Sequence, residues 1–291
     1  MNSLICASRL CLLSLAIPVG AAAQNPDQGL ISTASGTPVA YASVGVLGKP
    51  IGTVANAQGA VSLAPFTAAA PTDTVVVSCV GYQSRKVLAA AFSRQPVVQL
   101  QPQVYALQEV KVSAKSWKRH RIGRDGAWGI TFYNFHLNAD KDPAQKLGRE
   151  VGTILHVAPG SYLEDAYVHF GQNDFKNLRF RLNVRALDAQ DHPAASLLTQ
   201  DILFTVANHA TGWQHIDLKP YEVNVAQQKR VAITLEWLGG APDVKKDWYC
   251  LTIPAALSTT HRMVFRDKSE DQWKVQLVNV SLYVTALSPK G

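Results

Sequence analysis

The sequence contains none of the local motifs that carry hydrolytic chemistry. A hydrolase needs a nucleophile with an adjacent base, or a metal ion with its ligands. There is no Gly-x-Ser-x-Gly elbow and no His-Glu-x-x-His or His-x-x-Glu pair. His209 and His215 are close in sequence and could meet across a hairpin as ligands, but isolated histidines on β-loops are usually solvated or capping groups. The sequence predicts no catalytic residue, no metal ligand and no cofactor.

The segment Asn138-Ala139-Asp140-Lys141-Asp142 imitates the first half of a calcium-binding loop. Such a loop needs Gly at its sixth position and a bidentate Glu at its twelfth, where this chain has Pro143 and Arg149. The pattern therefore favours an Asx-type turn. Binding of a structural calcium ion through scattered oxygens stays open.

Aromatic side chains in the C-terminal half are the remaining candidates for a binding surface. Exposed aromatic rings can stack on sugar rings, but Trp and Tyr also fill much of the core of β-sandwiches. Trp237 lies in an alternating apolar run and is expected in the core. Trp213 follows a Gly turn, whereas Trp248 and Tyr249 follow a charged loop. Together with His215, these three residues are the candidate binding residues.

The elements that must position these groups are short strands. Residues Val39 to Val46 alternate in the period of two that is typical of a half-buried strand, and Pro38 breaks the chain before them. Asn56-Ala57-Gln58-Gly59 has the Asn and Gly preferences of a type I turn. Val75 to Val80 is a further run rich in valine. Short strands with close turns predict a small β-sandwich.

Four motifs in this region occur in a characteristic order. They are Pro38-Val39-Ala40-Tyr41-Ala42-Ser43-Val44, Gly52-Thr53 with Asn56 and Gly59, Val80-Gly81-Tyr82, and Leu107-Gln108-Glu109-Val110. On these motifs, residues 27–113 resemble the carboxypeptidase-regulatory-like domain, which is common in cell-envelope proteins of Bacteroidetes-type bacteria. The resemblance implies a prealbumin-like (transthyretin-like) sandwich that carries no peptidase chemistry itself. Asn56 and Val61 depart from the commoner Asp and Phe, yet fit the same turn and core.

The N-terminus has the features of an export signal. Arg9 precedes an apolar run, and Ala21 and Ala23 supply small residues for cleavage before Gln24. A buried N-terminal helix would leave this alanine-rich stop unexplained. The sequence predicts a signal peptide over residues 1–23 and an exported protein of the periplasm, outer membrane or cell surface. No later apolar stretch approaches the roughly 20 residues that span a bilayer.

The rest of the chain is long enough for two domains. The protein has 291 residues and a formal net charge of +7. We predict a first sandwich over 24–113, a linker over 114–127 and a second sandwich over 128–288. Cys79 and Cys250 would lie in different domains. Export permits a disulfide, but cysteines in apolar β-runs are more often unpaired core residues, which is the expectation.

The predicted linker is strongly basic, and it surrounds one tryptophan and one histidine. A contact with an anionic surface or nucleic acid is one interpretation, and a solvated linker is the other. Export makes nucleic acid a poor partner, so the linker is favoured. The residues are Lys115, Trp117, Lys118, Arg119, His120, Arg121 and Arg124.

About ten strand-like runs and no amphipathic helix follow, which predicts a larger antiparallel sandwich of jelly-roll type, and an all-β protein overall. In Leu178 to Leu187 apolar residues alternate with Arg179, Arg181 and Arg185, as in a half-exposed strand. The runs are 130–137, 150–157, 163–170, 178–187, 202–206, 213–218, 231–238, 248–253, 263–265 and 273–287. Residues 212–218 and 231–237 are similar in pattern to carbohydrate-binding jelly rolls.

These observations predict a non-catalytic, exported binding or scaffolding protein of the cell envelope. Its partner would be an envelope glycan, bound by the C-terminal sandwich, or an envelope protein. The second alternative makes the chain an assembly component of an outer-membrane system. No transmembrane segment is expected after signal removal. An enzyme, or an accessory part of a peptidase, is the third hypothesis, and no catalytic constellation supports it.

Overall fold

The computed structural model describes residues 27–104, 116–138, 141, 143–242 and 246–290, with residues 143 and 144 by backbone only. Several predictions therefore lie outside the described residues. These are the signal peptide over 1–23, the motif at 107–110 and the aspartates of the calcium-like segment at 140 and 142. The described chain is almost entirely β-structure, which confirms the predicted all-β class.

The first domain is a sandwich of two four-stranded sheets, with strand orders β4-β1-β8-β6 and β3-β2-β5-β7. Its core contains Ile31, Val44, Val77, Phe92 and Leu100, each at most 1% exposed. The strands are β1 (Gln28–Thr33), β2 (Ser43–Val46), β3 (Gly52–Val54), β4 (Ala60–Ser62), β5 (Thr74–Ser78), β6 (Tyr82–Gln83), β7 (Arg85–Leu88) and β8 (Val97–Pro102), with a 3-10 helix at Ala64–Ala68 and the helix α1 at Ala89–Arg94.

The turn between β3 and β4 has the predicted form. The Gly59 N–H donates to the Asn56 carbonyl at 3.0 Å. The Asn56 side-chain oxygen also accepts the Gln58 and Ala60 N–H groups, at 2.9 and 3.0 Å. Gly59 has φ +72°, and a Cβ there would lie 2.4 Å from the Ile31 carbonyl oxygen. This position therefore requires glycine, both for its backbone angle and for its space.

The second domain consists of three sheets. Their strand orders are β16-β12-β22-β9, β10-β18-β21 and β14-β13-β17-β11-β19-β20, and β15 also pairs with β13. The strands are β9 (Trp117–Gly123), β10 (Thr131–Asn138), β11 (Glu150–His156), β12 (Tyr162–Phe170), β13 (Phe175–Leu187), β14 (Pro193–Ser196), β15 (Ile202–Val206), β16 (Gly212–Asp217), β17 (Arg230–Pro242), β18 (Trp248–Leu257), β19 (Met263–Arg266), β20 (Lys274–Gln276), β21 (Val278–Val280) and β22 (Leu282–Pro289). Short 3-10 helices occupy Pro143–Lys146 and Lys219–Tyr221.

Aromatic rings form the centre of the second core. Trp237 is fully buried, as expected, and its Nε1–H donates to the Gly239 carbonyl at 2.9 Å. The rings of Phe135 and Phe175 pack edge-on against it at 5.7 and 5.2 Å. Trp237 thus fills the interior while its single polar group stays hydrogen-bonded.

The basic segment predicted as a linker is in part a strand. β9 pairs antiparallel with the last strand, β22, from Trp117 opposite Pro289 to Gly123 opposite Tyr283. It forms the edge of its sheet, where Lys118, Arg119 and Arg121 are exposed. Charged side chains are tolerated on an edge strand, so their density did not reveal that the backbone is paired.

The arginine-rich face of β13 is covered by the first domain and is not half-exposed as predicted. Arg181 is 2% exposed, and all five of its N–H groups are bonded. Its Nε and Nη2 reach Asp201 at 2.6 and 2.9 Å, and its Nη1 reaches Glu236 at 2.8 Å. The remaining bonds cross to the first domain, to the Ser43 hydroxyl at 3.1 Å and the Tyr41 carbonyl at 2.7 Å.

A second buried carboxylate extends this network. Glu150 is fully buried and accepts hydrogen bonds from Arg266 at 2.9 Å, Asn183 at 2.9 Å and Thr234. Burial alone would raise the pKa of Glu150, but the charges of Arg185 and Arg266 and the hydrogen bonds lower it to about 2. The polar face of this sheet is therefore an interior charged layer between the two domains.

Candidate functional site

Two of the predicted binding residues, Trp213 and His215, lie on β16 and contact neighbouring rings, although the side chain of His215 stays 51% exposed. His215 stacks on Tyr167 at 4.8 Å, and Tyr167 stacks on Tyr283 at 4.6 Å. Trp213 packs edge-on against His169 and Tyr283, at 5.2 and 5.0 Å. Both faces of the Tyr167 ring are therefore occupied within the protein. These aromatic groups form a cross-strand stack, which stabilises the sheet.

His215 is also fixed by a carboxylate. Its Nε2 lies 2.7 Å from Asp165 Oδ1. Asp165 in addition accepts the Thr285 hydroxyl at 2.7 Å. His209 instead has its Nδ1 3.3 Å from the Asn173 carbonyl oxygen.

The other two predicted residues, Trp248 and Tyr249, point to opposite faces of β18, as successive strand residues must. Trp248 is 57% exposed, whereas Tyr249 is 7% exposed. The Tyr249 hydroxyl accepts the Lys246 backbone N–H at 3.3 Å. Trp248 and Trp213 belong to different sheets, and because Tyr249 is buried the four candidates do not form one exposed surface.

Three strongly exposed apolar side chains lie elsewhere, just before β10 and at its start. Trp128 is 90% exposed, Ile130 80% and Phe132 61%. We call these three residues the Trp128 patch. Exposed apolar groups of this size that are contiguous mark interaction surfaces on proteins.

The strand that carries the patch is an edge strand. β10 pairs with β18 along all eight of its residues, from Thr131 opposite Ala255 to Asn138 opposite Trp248. It is the terminal strand of the sheet β10-β18-β21, and in the described part of the chain no other strand pairs with it. One edge of β10 therefore keeps backbone groups available for a further strand.

A groove of about 280 Å³ lies beside the patch. Trp128, Phe132, Pro254, His169 and Thr252 line it. Its lining is mainly rings and a proline, so the groove suits an apolar side chain. Burial lowers the pKa of His169, which favours the neutral imidazole in this wall.

The opposite end of β10 lies in a positive field. Partial burial, together with the charges of Arg149 and Lys146, lowers the pKa of His136. Burial and Arg149 likewise lower the pKa of Lys146. Asp267 pairs with Arg149 at 3.3 Å and offsets part of this charge. β10 thus has an apolar end and a basic end.

The sequence contains a signal for the patch that the strand prediction left unused. In β10, Tyr133, Phe135 and Leu137 face the core and are at most 8% exposed. Ile130 and Phe132 have the opposite parity, so apolar residues occupy both faces at the start of this run. A strand with one buried face needs only one apolar set, so the second set predicts exposed apolar side chains.

Metal ligands and thiols are two further kinds of group that could carry chemistry. No group of three or more His, Cys, Asp or Glu side chains is placed to hold a metal ion among the residues described. Cys79 and Cys250 are both free thiols. Burial raises the pKa of Cys79 to about 12 and that of Cys250 to about 11, so both thiols are protonated at neutral pH.

A comparison with protein families decides the nature of the first domain. Residues 28–112 match the family model described as CarboxypepD_reg-like domain. The N-terminal third is a CarboxypepD_reg-like domain. This match confirms the resemblance predicted from the motifs around Pro38, Gly59 and Gly81. The CarboxypepD_reg-like domain occupies the sandwich that buries the Arg181 network, and the Trp128 patch lies on the second domain.

Other comparisons add no argument about the second domain. A search of curated proteins finds no match. Among solved structures, that of infectious bursal disease virus Gx strain is 12% identical with a TM-score of 0.26, over 94% of this chain and 61% of that one. The VP2 subviral particle of the same virus is 9% identical with a TM-score of 0.25, over 92% of this chain and 64% of that one. This chain therefore spans less than two thirds of either structure, and such low scores support no conclusion.

Across the described ranges, no helix has the length and apolar character required to traverse a lipid bilayer.

Proposed function

We propose that this protein is a non-catalytic binding protein whose second sandwich docks an extended segment of a partner protein on strand β10. The observation that carries the proposal is the unpaired edge of β10 beside the exposed Trp128 patch. Natural proteins usually shorten, charge or cover such an edge to prevent association. An edge that is eight residues long and apolar at one end suits the addition of a strand.

An extended polypeptide satisfies both features of this site. Its backbone would pair with the free N–H and C=O groups of β10, which supplies affinity without sequence specificity. Alternate side chains would then face the sandwich surface. One apolar side chain near Trp128 and Phe132 would enter the 280 Å³ groove.

The charges near β10 favour one orientation of the partner segment along the strand. An apolar side chain fits the groove near Trp128, and an acidic side chain fits the opposite end near His136, Lys146 and Arg149. Electrostatic complementarity of this kind sets register and partner choice more than affinity. The partner segment would therefore combine an apolar anchor with acidic residues a few positions away.

The proposed setting is the cell envelope after export. The predicted signal peptide and the family of the first domain support this proposal. In this arrangement the first domain, through Ser43 and the Arg181 network, holds the second sandwich in a fixed orientation. The protein would then act as a scaffold that presents β10 to an envelope partner.

Glycan binding remains a second candidate because Trp128 is 90% exposed next to the Thr252 hydroxyl and a groove. A sugar would use the ring face of Trp128 and would leave the edge of β10 unpaired. The two candidates therefore differ in whether the backbone of β10 takes part.

A display selection on the mature chain from Gln24 tests the proposal. A library of random extended peptides and a glycan array are probed with the wild type, with Trp128→Ser/Phe132→Ser, and with Leu88→Ser as a matched control. Leu88 is 55% exposed but lies in the first domain. We expect the selected peptides to share one apolar and one acidic position. The wild type and Leu88→Ser should bind these peptides, and the double variant should not. Selection of glycans alone would support the second candidate and contradict strand addition.

A further inference from the structure

A cavity of about 380 Å³ opens on the second domain, away from β10. Four elements form it: the end of β11, the turn between β13 and β14, the start of β17, and the loop between β18 and β19. Its lining includes His156, Asp191, Arg230, Thr260 and Arg262. The site thus collects guanidinium, imidazole and hydroxyl groups, which are all hydrogen-bond donors.

The cavity holds more positive than negative charge. Arg230 makes a two-pronged contact with Asp191, at 2.6 and 2.9 Å. Arg262 approaches the same carboxylate at 3.7 Å. The hydrogen bond from Arg230, with the charges of Arg230, Arg262 and His156, lowers the pKa of Asp191, so Asp191 stays ionised. One carboxylate faces two guanidinium groups, which leaves one net positive charge before either histidine is protonated.

Two histidines add titratable charge. The rings of His156 and His261 lie 6.1 Å apart. Burial and then the neighbouring His156 lower the pKa of His261. The Thr260 hydroxyl lies 3.2 Å from His261 Nδ1. An anion in the cavity would favour the protonated form of His261.

We propose that this cavity binds an oxyanion of the phosphate or sulfate class. Arg262 would be its principal donor, because its contact with Asp191 is long and its guanidinium is 48% exposed. Arg230 would contribute charge while Asp191 holds it in place. The hydroxyl of Thr260 and the imidazole of His156 would complete the donor set. Planar guanidinium groups match the geometry of phosphate oxygens.

Protonation predicts a pH dependence with a definite sign. The groups that face the cavity are Asp191, Arg230, Arg262 and His156, with His261 behind His156. The turn also carries an Asp188–His192 pair at 3.5 Å. Histidine is the side chain that changes charge between about pH 5 and 8, and His261 gains a positive charge as the pH falls. Affinity for sulfate, which stays a dianion over this range, should therefore rise about tenfold from pH 7.5 to 5.5. Inorganic phosphate loses a negative charge over the same range, so the pH dependence is measured with sulfate.

Two experiments test the proposal. The mature chain is titrated calorimetrically with inorganic phosphate and with sulfate, and its histidine ring resonances are followed by NMR. Expected results are saturable binding, shifts of the His156 and His261 signals, and at least a tenfold loss in Arg262→Gln. Arg94→Gln, an exposed change in the first domain, should bind as the wild type does.

Vesicles distinguish the source of the anion. Phosphatidic acid in phosphatidylcholine vesicles is compared with phosphatidylcholine alone. Binding that Arg262→Gln abolishes and Arg94→Gln retains identifies a lipid headgroup, whereas phosphate binding without vesicle binding identifies a free anion. The proposal is overturned if Arg262→Gln and the wild type bind phosphate with equal affinity. It is also overturned if the wild type binds neither phosphate nor sulfate at pH 7.5 or pH 5.5. None of these substitutions touches β10, so strand addition is tested separately.

Discussion

Arg181→Met perturbs the buried layer between the two domains. Arg181 is 2% exposed, and its partner Glu236 is 1% exposed. Methionine fills much of the same volume but supplies no charge and no N–H donor. Glu236 then keeps only the hydroxyls of Ser43 at 2.6 Å and Ser269 at 2.9 Å. A buried carboxylate is left without its countercharge.

Breaking a buried ion pair on one side costs about 3–5 kcal/mol. A domain of this size loses roughly 2–4 °C of melting temperature for each kcal/mol. Arg181→Met should therefore lower the melting temperature of the second domain by roughly 6–20 °C. Arg179→Met is the matched control on the same strand face. Arg179 only stacks over the Tyr41 ring at 4.8 Å, which is worth about 1 kcal/mol or less.

Differential scanning calorimetry of the mature chain measures both variants. Adding Glu236→Gln to Arg181→Met should recover part of the loss, because the unpaired charge is then removed. Equal shifts for Arg181→Met and Arg179→Met would refute this account. They would mean that the layer is hydrated and that Arg181 and Glu236 are not a buried pair.

Two other predictions concern single buried positions. Gly59→Val should lower the melting temperature of the first domain, because a Cβ would lie 2.4 Å from the Ile31 carbonyl, while Gln58→Ala should hardly change it; equal melting temperatures would contradict the turn. The pKa of Glu150 falls from 4.5 to about 2 on folding, so its stabilising contribution is complete above about pH 4.5 and is lost as the pH falls toward 2. Urea unfolding should therefore show a difference between wild type and Glu150→Gln that shrinks over this range, and a constant difference would argue against it.

Periodicity alone located most strands, because alternation records which face is buried. The run 202–206 coincides with β15, and Trp237 occupies the core as expected. The pattern does not record what covers a polar face. The arginines of β13 therefore suggested solvent, although Arg181 bonds to Ser43 and Tyr41 of the other domain. Contacts between residues that are more than a hundred positions apart cannot be read from a local sequence pattern.

The candidate site was missed for a related reason. The Gly turn before Trp213 favours exposure, yet the rings of His169 and Tyr283, on other strands, pack edge-on against it. His215 stacks on Tyr167, and its side chain stays 51% exposed. Trp128 lies at the boundary between the predicted linker and the second sandwich. The local sequence there does not indicate whether the strand that follows has an unpaired edge. Strand order decides this point, and it depends on tertiary contacts.

Amide hydrogen exchange of β10, followed by NMR with and without a selected peptide, tests the strand-addition proposal most directly. The account predicts that alternate amides of Thr131–Asn138, those that do not pair with β18, exchange rapidly in the free protein. The peptide should slow these amides and leave those paired with β18 little changed. Protection elsewhere, with the outer amides of β10 still exchanging rapidly in the complex, would contradict it.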